Sequence, residues 1–175
     1  MSFVFVLRSM NDDRATIIAK VRGWINPKLQ IEDVSNPNLS PNDVVIHVKG
    51  KTDADYFGYQ SEVQYFIAFP SDSDSLSIST YFYFEQSDAT GFTVLPHEYK
   101  TIFANEMKIP LLTLGLWYTW IPDLKNIKSL QMQKVIWFDG FSKNTFNDGL
   151  SNVLNGYEIV SARYEQFRDS IHKQK

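Results

Sequence analysis

Between Ser61 and Gln86 apolar and polar residues alternate on either side of a short polar interruption, Pro70-Ser71-Asp72-Ser73-Asp74-Ser75, and that pattern predicts a β-hairpin. In its second strand Leu76, Ile78, Thr80, Phe82 and Phe84 share one face, while Ser77, Ser79, Tyr81, Tyr83 and Glu85 share the other. Pairing Phe69 with Leu76 sets Val63 against Phe82 in the core, and Gln64 and Glu62 against Tyr81 and Tyr83 outside. A slip of one residue would bury the polar set, so the register is strongly constrained.

The rest of the chain reads in the same terms. Phe3 to Leu7 is apolar on both faces and predicts a strand inside the sheet. Asn11-Asp12-Asp13 supplies a cap and an acidic first turn for a helix carried by Ile17, Ile18, Val21, Trp24 and Ile25 and stopped by Asn26-Pro27. Leu29 to Val34 predicts a strand, the Asn- and Pro-rich residues 35–43 a long loop, and Val44, Ile46 and Val48 a further strand with His47 on its more polar face. Pro96 suits the start of a helix with Tyr99, Ile102, Phe103 and Met107 at helical spacing, ended by Lys108 to Pro110. The apolar Leu111–Trp120 segment is open between strand and helix, a short helix is expected after Asp123, and Val135 to Phe138 predicts a buried strand. Two helices close the chain, one through Phe146, Leu150, Val153 and Leu154 stopped at Gly156, the other striped by Tyr157, Val160, Tyr164, Phe167 and Ile171. That last stripe can pack on its own sheet or against a second copy, with self-packing the simpler use.

These elements predict an α+β fold: mainly an antiparallel sheet of about five to seven strands with helices packed on one face. The order is β-α-β-β-β-β and then a helix-rich C-terminal half, in a single domain over residues 1–175.

Composition narrows the picture. Hydrophobic residues make up 43% and charged residues 21% of 175 positions, which is globular rather than disordered. With no cysteine, disulfides, thiolate metal sites and cysteine nucleophiles are excluded, and a reducing compartment fits best. The apolar run after Met1 is shorter than a signal peptide's core, so a cytoplasmic location is expected. The uncharged stretch from Ile109 to Pro122 is too short to span a bilayer and is broken by prolines.

Charge is uneven along the chain. Residues 51–98 carry one Lys and eight Asp/Glu, net −7, within a whole-chain balance of −3. A nucleic-acid binder needs a concentrated basic footprint, and the middle of this chain offers the reverse, so a basic protein partner is expected and direct nucleic-acid binding is not.

Catalytic signatures are sparse. His47, His97 and His172 fall in different elements, so no local zinc spacing exists. His97 beside Glu98 points away from it on a helix, and His47 reads first as a surface histidine making one hydrogen bond. Asp53 and Asp55 have the spacing of a carboxylate pair for a hard cation, yet turn formation accounts for them, as it does for Asp72 and Asp74. No Gly-x-Ser-x-Gly elbow occurs, and neither cofactor nor metal is called for.

What remains is a candidate partner-binding patch: Asp53, Asp55, Tyr56, Tyr59, Glu62, Asp72, Asp74, Tyr81, Tyr83 and Glu85. Tyrosines suit interfaces because the ring buries area while the hydroxyl makes directional bonds, although a wet sheet face carries such residues in any case. The expected function is a non-catalytic protein-binding protein, most specifically an immunity- or antitoxin-type inhibitor of a basic toxin such as a nuclease. In such a protein, carboxylates imitate phosphates and speed association. The alternatives are a small enzyme with a dispersed His/Asp site, from His47 or His97 with Asp53, Asp55 or Asp139, and a small-ligand domain lined by Trp117, Trp120 and Trp137. The chain is expected to be a monomer or homodimer.

Overall fold

The computed structural model describes residues 10–34, 40, 42–51, 62–84, 92 and 95–172; for 10–13, 51, 63 and 170–172 only the backbone is considered. The strand expected at Phe3–Leu7, and the site residues Asp53, Asp55, Tyr56, Tyr59 and Glu85, lie outside the described residues. Described elements run α1 (Met10–Trp24), β1 (Gln30–Asp33), β2 (Val44–Lys51), β3 (Glu62–Phe69), β4 (Ser75–Tyr83), α2 (His97–Thr113), β5 (Trp117–Ile121), β6 (Ser129–Trp137) and α3 (Lys143–His172). The six strands form one antiparallel sheet in the order β1-β2-β3-β4-β6-β5, the α+β arrangement expected from the pattern.

The hairpin keeps the expected register. Phe66 lies opposite Ser79, Ile67 opposite Ile78 and Ala68 opposite Ser77. Leu76, Ile78, Thr80, Phe82 and Phe84 are all buried, whereas Tyr83 on the other face is exposed. β6 completes the core face, with Leu130 opposite Phe82, Met132 opposite Thr80 and Ile136 opposite Leu76.

α3 crosses this face and is one helix of 30 residues, where two were expected. Gly156 does not stop it. A Cβ at Gly156 would lie 2.5 Å from Leu116 Cδ1, and one at Gly149 2.5 Å from Ile136 Cδ1, so both glycines serve close approach of helix to sheet. The Tyr157–Phe167 stripe is used up internally: Tyr157 packs on Phe82 at 5.5 Å between ring centroids, and Tyr164 packs on Phe84 at 5.3 Å. Phe103 of α2 joins the same aromatic cluster, 5.0 Å from Phe92.

α2 continues through Pro110 to Thr113, beyond its expected end. Proline removes one backbone donor there, but Met107 and Leu111 are both fully buried and hold the turns on either side of it against the core. The ambiguous segment therefore splits: helix to Thr113, a turn at Gly115, then β5. Gly115 N–H donates to Leu112 O and Leu116 N–H to Leu111 O, while Lys134 Nζ donates to Gly115 O at 3.1 Å, satisfying the carbonyl end of the helix.

No helix follows Asp123. Its carboxylate accepts the N–H groups of Lys125 and Asn126 at 2.7 and 2.8 Å, but Lys128 N–H closes onto Ile121 O at 2.7 Å. Hairpin pairing of β5 with β6 captures the backbone that a helix would have used. The same pairing extends β6 back to Ser129, past Gln131, Gln133 and Lys134, whose polarity hid it.

Candidate functional site

α1, α2 and α3 lie on one face of the sheet, and among the described residues no helix covers the other, open face. Its positions follow from the register: Glu32 on β1; His47 and Lys49 on β2; Gln64, Phe66 and Ala68 on β3; Ser77, Ser79, Tyr81 and Tyr83 on β4; Gln131, Gln133 and Trp137 on β6; Trp117 on β5. Period-two alternation puts each of these opposite to the core set.

An aromatic row crosses three of these strands. The His47 ring stacks on Phe66 at 4.5 Å and 9°, Phe66 meets Tyr81 edge-on at 5.7 Å, and Tyr81 stacks with Tyr83 at 6.2 Å. Burial, and then the neighbouring Tyr83, push the Tyr81 phenol above its usual range. Tyr83 remains 67% exposed, Trp117 74% and Trp137 64%. Buried Ser75, Ser79 and Ser129 lie between them as a floor of small residues.

Charges at the β1–β2 edge of this face are paired. Lys49 Nζ lies 2.8 Å from Glu32 Oε1, and that contact holds the Glu32 carboxyl below its ordinary range. The Gln64 side-chain amide donates to His47 Nε2 at 2.8 Å, which leaves Nδ1 facing Glu32 Oε2 across 3.8 Å. That separation is too long for a hydrogen bond and becomes an ion pair only if the imidazole is protonated.

The predicted patch is split by the fold. Tyr81, Tyr83 and Glu62 share the open face, with Glu62 at the register position opposite Lys51. Asp72 and Asp74 are exposed at the hairpin turn, at the far end of β3 from Glu62, about 23 Å away at roughly 3.3 Å per residue. There Phe138 N–H donates to Asp74 O at 2.8 Å, and Asp139 follows directly in the chain. The two carboxylates, with Thr16, Ile17 and Lys20 of α1 and the rings of Phe138 and Phe141, line a cleft of about 420 Å³. A second groove of about 370 Å³ runs between β6 and α3, with Trp137, Asp148 and Asn152 on its walls.

His47 lines neither cleft, and His97 is exposed in the first turn of α2, its carbonyl accepting the Thr101 hydroxyl at 2.9 Å. The three tryptophans do not share a cavity. Trp117 and Trp120 are three positions apart on one strand and so face opposite ways: Trp120 packs in the core against Phe84 and Phe103, each at 6.2 Å, while Trp117 projects outward. Among the described residues no group of His, Asp and Glu has the arrangement to hold a metal ion, and no helix is long and apolar enough to cross a membrane.

Sequence reasoning missed Phe66, Trp117 and Trp137 as parts of the open face. The alternation of β3 carried the signal for Phe66, since it shares parity with Glu62 and Gln64. For the tryptophans the signal was absent, because β5 and β6 could not be paired from the sequence.

Residues 20–162 match a family described as an uncharacterized conserved protein (DUF2299), and the chain belongs to that family. No curated protein matches the sequence. Among solved structures, the chain is similar to a crystal structure of an uncharacterized protein from Methanothermobacter thermautotrophicus. The TM-score is 0.65 and the identity 18%, over 85% of this chain and 96% of that chain. At that identity the likeness concerns the fold, and function has to be argued from the surface.

Proposed function

We propose that this chain is a non-catalytic protein-binding protein that engages its partner through the helix-free face of its sheet. One observation carries the reading: a sheet face with no described helix over it presents Tyr83, Trp117 and Trp137, all more than half exposed, beside the His47–Phe66–Tyr81 row. Tyrosine and tryptophan are the side chains that most often dominate binding energy, because a large rigid area is buried at small entropic cost. The carboxylates Glu62, Asp72 and Asp74 stand at the two ends of that face, where charge sets the rate of encounter more than the strength of the complex.

The inhibitor of a basic toxin such as a nuclease is the specific form of this proposal. Its support is the hairpin-turn end, where Asp74 and Asp139 line one cleft and Asp72 is exposed two positions from Asp74. Aromatic contacts would supply the affinity and the acidic end would steer a basic partner into place.

The test is capture from a native lysate with the wild-type chain and a Tyr83→Ser/Trp117→Ser variant. A partner held by the wild type and lost by the folded variant supports the proposal; equal capture by both refutes it. With that partner in hand, Asp72→Asn/Asp74→Asn should slow association several-fold at low salt and leave dissociation unchanged. An association rate independent of both substitutions and of salt would remove the steering role.

A further inference from the structure

β4 pairs with β6 all along its length, from Ser129 to Trp137, but β5 covers only part of the other edge and ends at Trp117, opposite Gln133. Upstream of Trp117 the chain turns away into α2, with Leu116 N–H bound to Leu111 O. Among the described residues no strand pairs with the outer edge of residues 134–137.

The direction of the backbone groups there follows from the pairing. Phe138 N–H donates to Asp74 O, and Ile136 lies opposite Leu76 in the same register. Alternate residues of an antiparallel strand turn both backbone groups to the same neighbour, so Lys134 and Ile136 bond to β4. The N–H and C=O of Val135 and Trp137 therefore point outward, two donors and two acceptors that another strand would complete. Sheet edges are usually blunted by charge, proline or a bulge. Here the four residues read Lys-Val-Ile-Trp, and the single charge is turned aside, Lys134 Nζ donating to Gly115 O at 3.1 Å. Along the same stretch runs the groove between β6 and α3, with Asp139, Asp148 and Asn152 on its walls.

We propose that this edge and groove form a strand-addition site for an extended segment of a partner protein in which basic and apolar residues alternate. The walls set that chemistry. On the open side of the sheet, alternate side chains of the added strand meet Val135 and Trp137 and end beside Trp117, so apolar residues fit there. On the helix side the others enter the groove, where Asp139 and Asp148 supply negative charge and favour lysine or arginine. Backbone bonds give such a complex its affinity and the alternating side chains its specificity. The site goes beyond the open-face reading and does not rest on it, because its centre is the backbone of the edge. Tyr83, opposite Ser129, is about 26 Å away along β6 at roughly 3.3 Å per residue.

The probe is the peptide acetyl-Lys-Val-Lys-Val-Lys-amide added to the full chain at low salt, with binding read by tryptophan fluorescence and by amide hydrogen exchange. Binding should protect the Val135 and Trp137 amides. Methylating the two valine nitrogens, which face β6 in this pairing, should weaken binding about ten-fold, whereas methylating the central lysine nitrogen, which faces away, should not. Asp148→Lys should weaken binding several-fold with an unchanged melt, and Tyr83→Ser should leave it as it is. A peptide that protects neither amide, or that binds equally well when its valines are methylated, overturns strand addition. Loss of binding in Tyr83→Ser does the same, since it would place the peptide on the open face. Equal binding to Asp148→Lys, or of a peptide with glutamate in place of lysine, overturns the basic occupant. Protection of the two amides before any peptide is added would mean that the chain itself or a second copy already covers the edge, and would overturn the proposal.

Discussion

The two faces of β4 carry nine residues of one strand into two different environments, and the contrast separates what holds this molecule together from what it presents. On one side Leu76, Ile78 and Phe82 are buried beneath α3 and its neighbours. On the other, Ser77 and Ser79 form a low floor that ends at Tyr81 and the exposed Tyr83. Stability is built on the first side. The second side of β4 carries no residue of the apolar core, and so its aromatic residues call for a reason beyond folding.

The largest test of that contrast compares truncations at adjacent positions. Phe82→Ala should cost about 3–5 kcal/mol of unfolding free energy, because it removes a buried ring in contact with Phe84, Tyr157 and Tyr164. Tyr83→Ser should stay within about 0.5 kcal/mol, as exposed substitutions do. Urea denaturation of both variants reads the difference directly. Comparable losses would mean that the open face is structural and would undercut its role as a contact surface.

A smaller effect probes the helix side alone. Gly156→Val should destabilise by about 1–3 kcal/mol, since its Cβ would meet Leu116 at 2.5 Å with Met132 and Leu111 close behind. The added β-branched side chain cannot be absorbed by the single methyl that lies nearest. An unchanged melting temperature would show that α3 sits farther from the sheet than described.

The same contrast explains how much could be read in advance. The hairpin was legible because its alternation is strict and its turn is polar, which leaves one register that buries Ile67, Ile78 and Phe82 together. Gly156 misled because glycine's use as a helix stop and its use in close packing look alike until the neighbours Leu116 and Met132 are known. Pro110 misled for a similar reason, its local cost being met by the burial of Met107 and Leu111. β6 was found only at its apolar end. The candidate site was half legible: parity gave Tyr81 and Tyr83 their direction, but a hairpin turn and the opposite end of its strand are adjacent in a list of acidic residues and far apart in space.

The finest prediction concerns which carboxylates at the acidic end belong to the fold and which are on offer. Asp43 accepts the backbone N–H of Ser71 at 2.7 Å and that of Ser40 at 3.1 Å, fastening the start of β2 to the β3–β4 turn. The Ser71 hydrogen bond, ahead of Ser40 and the nearby Arg14 guanidinium, holds this carboxyl below its ordinary value of 3.8. A depressed folded value means that the stabilisation is present above the unfolded value and lost as pH falls through the folded one. Stability should therefore decline on acidification below about pH 4, and Asp43→Asn should flatten that decline while lowering the urea midpoint slightly at neutral pH. Asp72→Asn/Asp74→Asn should leave the neutral midpoint where it is, because both side chains are exposed at the turn. Measured midpoints against pH for the three proteins separate the two classes: an Asp72→Asn/Asp74→Asn chain as weakened as Asp43→Asn would make the whole acidic end part of the fold, and would leave the aromatic face to carry the proposed contact by itself.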